Sequence, residues 1–206
     1  MSIVVYYHPY SRAATTVWML EELGLPHEIR YIDFAKGEHK EAAFRAINPM
    51  GKLPALVDGA VTLTESAAIG LYLADRYSSG DLAPALDDPA RATYLRWALY
   101  APSVIEPGAL AQANKWEFRP SNVGWGTYAE MLDTIESAIG AGPWLLGERF
   151  SMADVIFGGT VRFMLQFKML EPRAAFVAYV ERLNARPAAQ RATARNQAMA
   201  KEHGLA

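Results

Sequence analysis

The chain predicts an α/β unit followed by an all-helical unit, on three observations. Its first part alternates short β-rich runs with amphipathic segments and includes a hairpin. A polar, proline-containing stretch at residues 79–89 then interrupts the pattern. Beyond residue 90, Ala-rich segments carry their apolar residues at helical spacing. With 206 residues the chain is long enough for two such units, and 51% hydrophobic against 20% charged residues marks a soluble globular protein.

Each element has its own justification. Residues 3–7 (Ile-Val-Val-Tyr-Tyr) are β-branched and aromatic and predict a buried first strand, whose alternation sends Tyr6 and Tyr7 to opposite faces. His8-Pro9-Tyr10-Ser11 is a turn. A helix is predicted from about Arg12, with Ala13, Val17, Leu20 and Leu23 at helical spacing and Gly24 as its stop. Residues 28–34 alternate as a second strand, and strand–helix–strand order predicts a parallel pair. After a polar loop, residues 41–47 give one or two helical turns, ended by Asn48-Pro49. Pro54 opens the run Ala55-Leu56-Val57, Asp58-Gly59 turns it, and residues 60–63 return as a hairpin. Thr64-Glu65-Ser66 then starts a helix through Ile69, Tyr72 and Leu73. Further helices are predicted at 90–100, 125–139, 151–167 and from 176 to 183, where Pro187 interrupts and an Ala-rich tail follows.

Several functions are disfavoured. A net charge of −2 supplies no basic surplus for nucleic acid or an anionic membrane. No signal-type segment or membrane-length apolar run occurs, which points to the cytoplasm. Cys is absent, so disulfides, thiolate metal sites and protein-thiol redox chemistry are excluded. The four histidines lack metal-ligand spacing. Ala46 and Leu53 break a phosphate loop around Gly51-Lys52, and no G-x-S-x-G elbow is present.

What remains is anion-holding chemistry. Residues 48–69 combine a constrained loop, an edge hairpin and a helix start, three devices suited to a small peptide-like anion. Ser11 lies between a buried strand and a helix N-terminus, where unpaired N–H groups favour negative charge. Its ordinary reading is an N-cap. Tyr6 and Tyr7 are rivals as anion-reaching hydroxyls. Gly37-Glu38-His39-Lys40 is either an anion clamp or a solvated loop. Ser151-Met152-Ala153-Asp154 reads as a capping box with Asp in place of Glu. The aromatics of the helical region are core by default, with some available to line an apolar pocket.

Together these segments resemble the cytosolic glutathione transferases over nearly the whole chain. The segments are His8–Ser11, Gly37–Lys40, the loop Asn48-Pro49-Met50-Gly51-Lys52-Leu53-Pro54-Ala55, Glu65-Ser66-Ala67-Ala68-Ile69, and Ser151-x-x-Asp154. The N-terminal third is similar to serine-type, phi-like members. The resemblance implies a thioredoxin-like domain at 1–78, a linker at 79–89 and an all-helical domain at 90–206. It implies that Ser11 donates a hydrogen bond to the glutathione sulfur, that Leu53 pairs with the cysteinyl backbone, and that Pro54 is cis. Glu65 and Ser66 would hold the γ-glutamyl end, while His39, Lys40 and Lys52 would face the glycyl carboxylate. Tyr10, Tyr100 and Trp116 would line the hydrophobic substrate pocket.

The implied activity is conjugation of a glutathione thiolate to a hydrophobic electrophile, by a homodimer needing no metal or other cofactor. Isomerase, dehalogenase or ether-cleaving chemistry on the same fold, or a non-catalytic binding role, are the alternatives. Two positions depart from the pattern: Lys52 stands where serine-type relatives usually carry Gln, and Ala67 where phi-like members often carry Arg. Tyr6 falls near the place where other classes keep a catalytic Tyr.

Overall fold

The computed structural model describes residues 3–140 and 142–205. Four strands, β1 (Ile3–Tyr7), β2 (His27–Tyr31), β3 (Ala55–Asp58) and β4 (Val61–Thr64), form one sheet in the order β2-β1-β3-β4. β1 and β2 are parallel, as the intervening helix α1 (Ala13–Glu22) requires, and the other two pairings are antiparallel. Helix α2 (Ala42–Arg45) and helix α3 (Ser66–Tyr77) complete the α/β pattern. The two tyrosines of β1 part as strand geometry demands. Tyr6 joins a cluster with Ile32, Phe44 and Ala55, while the Tyr7 hydroxyl donates to Asn196 Oδ1. β2 is shorter than the alternation predicted: after Tyr31 the chain leaves the ladder, and Phe34 stacks on His8 instead of extending the strand.

The helices that follow are α4 (Ala90–Tyr100), α5 (Glu106–Ala113), α6 (Tyr128–Gly140), α7 (Met152–Gln166), α8 (Ala174–Asn184) and α9 (Pro187–Glu202). A π-type turn at Ala101–Ile105 carries α4 into α5, a continuation the sequence did not announce. α7 is the axis of the helical region, buried from Met152 to Gly159 and packed on α4 and α8. Gly158 permits that approach: a Cβ there would lie 2.2 Å from Leu183 Cδ1.

Pro187 proved to be the first residue of α9, a position where its missing N–H costs nothing. The chain divides into two compact units, Met1–Leu73 with Arg186–Ala206, and Ala74–Ala185. This grouping departs from a helical domain running through to residue 206. α9 packs on α1, where Arg186 pairs with Glu22 (2.7 Å) and Arg191 and Arg195 both pair with Glu21 (2.7 Å each). Among the described residues no helix is long and apolar enough to cross a membrane.

Candidate functional site

Strand register gathers the candidate residues of the first unit at one end of the sheet. Tyr6 pairs with Ala55, so the chain leaving β1 toward Ser11 passes beside the chain entering β3 through Leu53 and Pro54. Ala55 pairs with Thr64, which sets Glu65 and Ser66 at the same edge. Tyr7 pairs in parallel with Tyr31, so the segment leading to His39 and Lys40 departs from that end too.

Ser11 is 9% exposed, and its backbone N–H and its Oγ both donate to the His8 carbonyl, at 3.0 and 2.8 Å. The same Oγ accepts the Ala13 N–H at 3.2 Å. α1 therefore starts one residue later than predicted, with Arg12 at its cap and Ser11 oxygen serving the first free amide. Its hydroxyl proton is held only by a neutral carbonyl. An anion placed there would offer a charge-assisted bond, roughly twice as strong, in exchange.

Leu53 packs its side chain against the Tyr6–Phe44 cluster, and the Leu53–Pro54 peptide is cis. Among the described residues nothing hydrogen-bonds the Leu53 main chain, which leaves its N–H and C=O free to pair. Asn48, 2% exposed, shapes this loop: its Nδ2 donates to Lys52 O (2.7 Å) and its Oδ1 accepts the Met50 N–H (3.1 Å). Gly51, at φ +60°, is the loop's closest approach, since a Cβ there would fall 2.5 Å from His39 O. The Gly37–Lys40 turn therefore runs close against the loop at Gly51; Lys40 and Lys52 are both exposed.

Glu65 has φ +67°, a left-handed conformation uncommon outside glycine, and its carboxylate is exposed. Ser66 follows at the first position of the twelve-residue α3, where backbone N–H groups have no intrahelical acceptor. Tyr6, by contrast, lies under α2. Its ring packs on Phe44 (5.5 Å), its hydroxyl accepts from Arg30 Nη1 (3.4 Å), and it borders a cavity of about 270 Å³ with Arg30, Glu41 and Ile47.

The three aromatics expected to line a pocket each have their own surroundings. Tyr10 is exposed, and its hydroxyl donates to Leu205 O at 2.7 Å. Tyr100 packs on Trp97 and Phe157 (5.3 and 6.4 Å), with burial holding its phenol above the usual range. Trp116 lines a cavity of about 390 Å³ in the helical unit with Phe118, Trp125 and Tyr128. The capping box of α7 is formed in full. Ser151 N–H and Oγ donate to Asp154 Oδ2 (2.9 and 3.1 Å), and Leu145 N–H and the Tyr179 hydroxyl donate to Oδ1 (2.8 Å each). Burial still lifts the Asp154 carboxyl above its usual range.

The sequence placed Asn48 at a helix stop and at the head of the 48–55 loop but did not reveal that its buried amide spans that loop, nor that His8 packs against Tyr31 and Phe34. An Asn-Pro pair is a weak signal for a buried amide that spans a loop. Among the described residues no group of three or more His, Asp or Glu is placed to hold a metal ion.

A thioredoxin-like four-stranded sheet, followed in the chain by a helical bundle, defines the class. Residues 9–76 match the family description "Glutathione S-transferase, N-terminal domain" and residues 108–191 match "Glutathione S-transferase, C-terminal domain". Glutathione S-transferase 3 of Zea mays is 34% identical over 148 residues, spanning 66% of each chain. A solved glutathione transferase from Methylococcus capsulatus superposes with a TM-score of 0.78 at 28% identity, covering 95% of this chain and 98% of that one. Glutathione transferase URE2P6 of Phanerochaete chrysosporium, solved with oxidised glutathione, gives 0.80 at 26% identity, covering 96% and 97%. The chain belongs to the cytosolic glutathione S-transferase superfamily, an enzyme family.

Proposed function

We propose that this transferase binds glutathione at the strand edge of its first unit and that Ser11 stabilises the thiolate for attack on a hydrophobic electrophile. The observation that carries the reading is the convergence of Ser11, the cis Leu53–Pro54 loop and Glu65–Ser66 at one end of the sheet. A free thiol ionises near pH 8.5, and each unit of lowering corresponds to about 1.4 kcal/mol of preference for the thiolate. The Ser11 hydroxyl and the free amides at the start of α1 supply that preference. Leu53 receives the cysteinyl backbone, Glu65 and Ser66 hold the γ-glutamyl group, and His39, Lys40 and Lys52 face the glycyl carboxylate. Tyr6 is already engaged with Arg30 beneath α2, which favours Ser11 over it.

The same reading gives a serine-type, phi-like homodimer in the cytoplasm, without nucleic-acid or membrane partners. Residues 1–78 hold glutathione, 79–89 link, and the helical region from residue 90 supplies the electrophile pocket, with Trp116 as its anchor. Conjugation of an activated chloro-nitroarene should fall about tenfold or more in Ser11→Ala, and hardly at all in Tyr6→Phe. The reverse pattern moves catalysis to Tyr6. Light scattering at assay concentration checks the dimer.

A further inference from the structure

Five aromatic rings run in unbroken contact through the first unit, from just beyond α9 to the Gly37–Lys40 turn. His203 lies flat on Tyr31, with centroids 3.5 Å apart and planes at 6°. Tyr31 stacks on His8 at 5.6 Å, and His8 on Phe34 at 4.2 Å and 13°. Phe34 then meets His39 edge-on at 4.9 Å. Two of the rings, His8 and His39, belong to turns that adjoin the site. The His8 carbonyl accepts both Ser11 donors, and His39 precedes Lys40 beside Gly51.

A second strap joins the C-terminal turn to the Ser11 turn. The Tyr10 hydroxyl donates to Leu205 O, its ring lies 6.0 Å from His8, and its N–H donates to His8 Nδ1 at 3.2 Å. His8 is 6% exposed; burial, the largest influence, holds its imidazole below the usual range against the pull of Asp33. A neutral ring agrees with Nδ1 acting as an acceptor. Phe34 is the telling member: it sits in a polar turn, 37% exposed, and the rings it meets are those of His8 and His39. Its position is explained by the two rings it bridges.

We propose that this ladder is a positioning device: Phe34, seated between His8 and His39, and His203, its terminal slab, hold the Ser11 turn at a fixed spacing from the His39–Lys40 loop. The inference rests on the glutathione reading above and assigns work to residues that reading leaves idle. The two ends of a tripeptide site lie on separate turns, and each turn left free must be ordered when the ligand binds. Rings stacked in advance remove that cost, and they fix where the hydroxyl sits relative to the sulfur.

The test uses the full chain with glutathione, read by calorimetry and by ultraviolet titration of the bound thiol. Phe34→Ala is expected to weaken glutathione binding about tenfold and to cut the thiolate fraction at neutral pH about threefold. Phe34→Tyr, which keeps the ring, restores both. His203→Ala moves both in the same direction by about threefold, and because its residue is exposed it keeps the proposal testable should Phe34→Ala fail to fold. A purely structural ladder would lower the melting temperature and leave the bound-thiol titration where it was, which overturns the proposal. Variants within twofold of wild type in both readouts overturn it as well. If the wild-type chain itself binds no glutathione, the underlying reading falls and takes the ladder with it.

Discussion

Two serines open helices in this protein, and their surroundings differ. Ser151 is fully buried, three residues ahead of Asp154, and the carboxylate receives four hydrogen bonds that close the turn on itself. Ser11 has Ala14 in the corresponding place, so its hydroxyl leans on a neutral carbonyl and caps a single amide. One turn is finished chemically; the other keeps an exchangeable proton at a helix start. Residue type does not separate them. Position does in part, since Ser151 is the cap of α7 and Ser11 stands one residue before Arg12, the cap of α1; the residue three places on does the rest, because a buried carboxylate commits the donors around it whereas alanine commits none.

That contrast can be broken at either serine. The largest effect is expected from Asp154→Ala, which strands Leu145 N–H, the Tyr179 hydroxyl and the Ser151 donors. A loss of about 3 kcal/mol, or about 6–12 °C in melting temperature, should appear in a thermal scan. Ser151→Ala should cost about 1.5 kcal/mol and leave the bound-thiol titration unchanged. Ser11→Ala should invert that pattern, with a stability change below about 1 kcal/mol and the loss of rate described above. Matching stability losses at the two serines would erase the distinction.

Acid sharpens the comparison from the side of α1. Burial, the largest influence on Glu21, pushes its carboxyl up, but Arg191 and Arg195 together outweigh it and hold it below the usual range. Its folded value is therefore lower than its unfolded one. The stability it contributes is fully present above the ordinary carboxylate range, near pH 4.5, and is lost as pH falls through the depressed folded value. Glu21→Gln should cost about 1 kcal/mol at pH 7, discounted because both arginines are half exposed, and the difference from wild type should vanish in strong acid. Melting curves from pH 7 downward measure it; a pH-independent difference would remove Glu21 from the docking of α9.

Much of the first unit was legible in the chain. β-branched runs, the Asp58-Gly59 turn and the prolines specify strands, hairpin and helix starts locally, and the Ser151–Asp154 box is readable because its partners are three residues apart. Phe34 was misread for an instructive reason. Alternation marks which side chains want burial and not what they bury against, and here a stack on His8 replaced a place in the ladder. Tyr10, Tyr100 and Trp116 carry no signal in the chain of which neighbours will reach them.

The sequence by itself determined the order of elements through α3, the change to a helical pattern beyond residue 90 and the family, because propensities, turn residues and short motifs act within a few positions. Only the tertiary structure decided that β-register brings Ser11, Leu53–Pro54 and Glu65–Ser66 to one edge. It alone decided that the Ala-rich tail after Pro187 is a helix paired to α1 through Glu21 and Glu22. Both rest on contacts between residues far apart in the chain, whose energy exists only once the elements they join have formed.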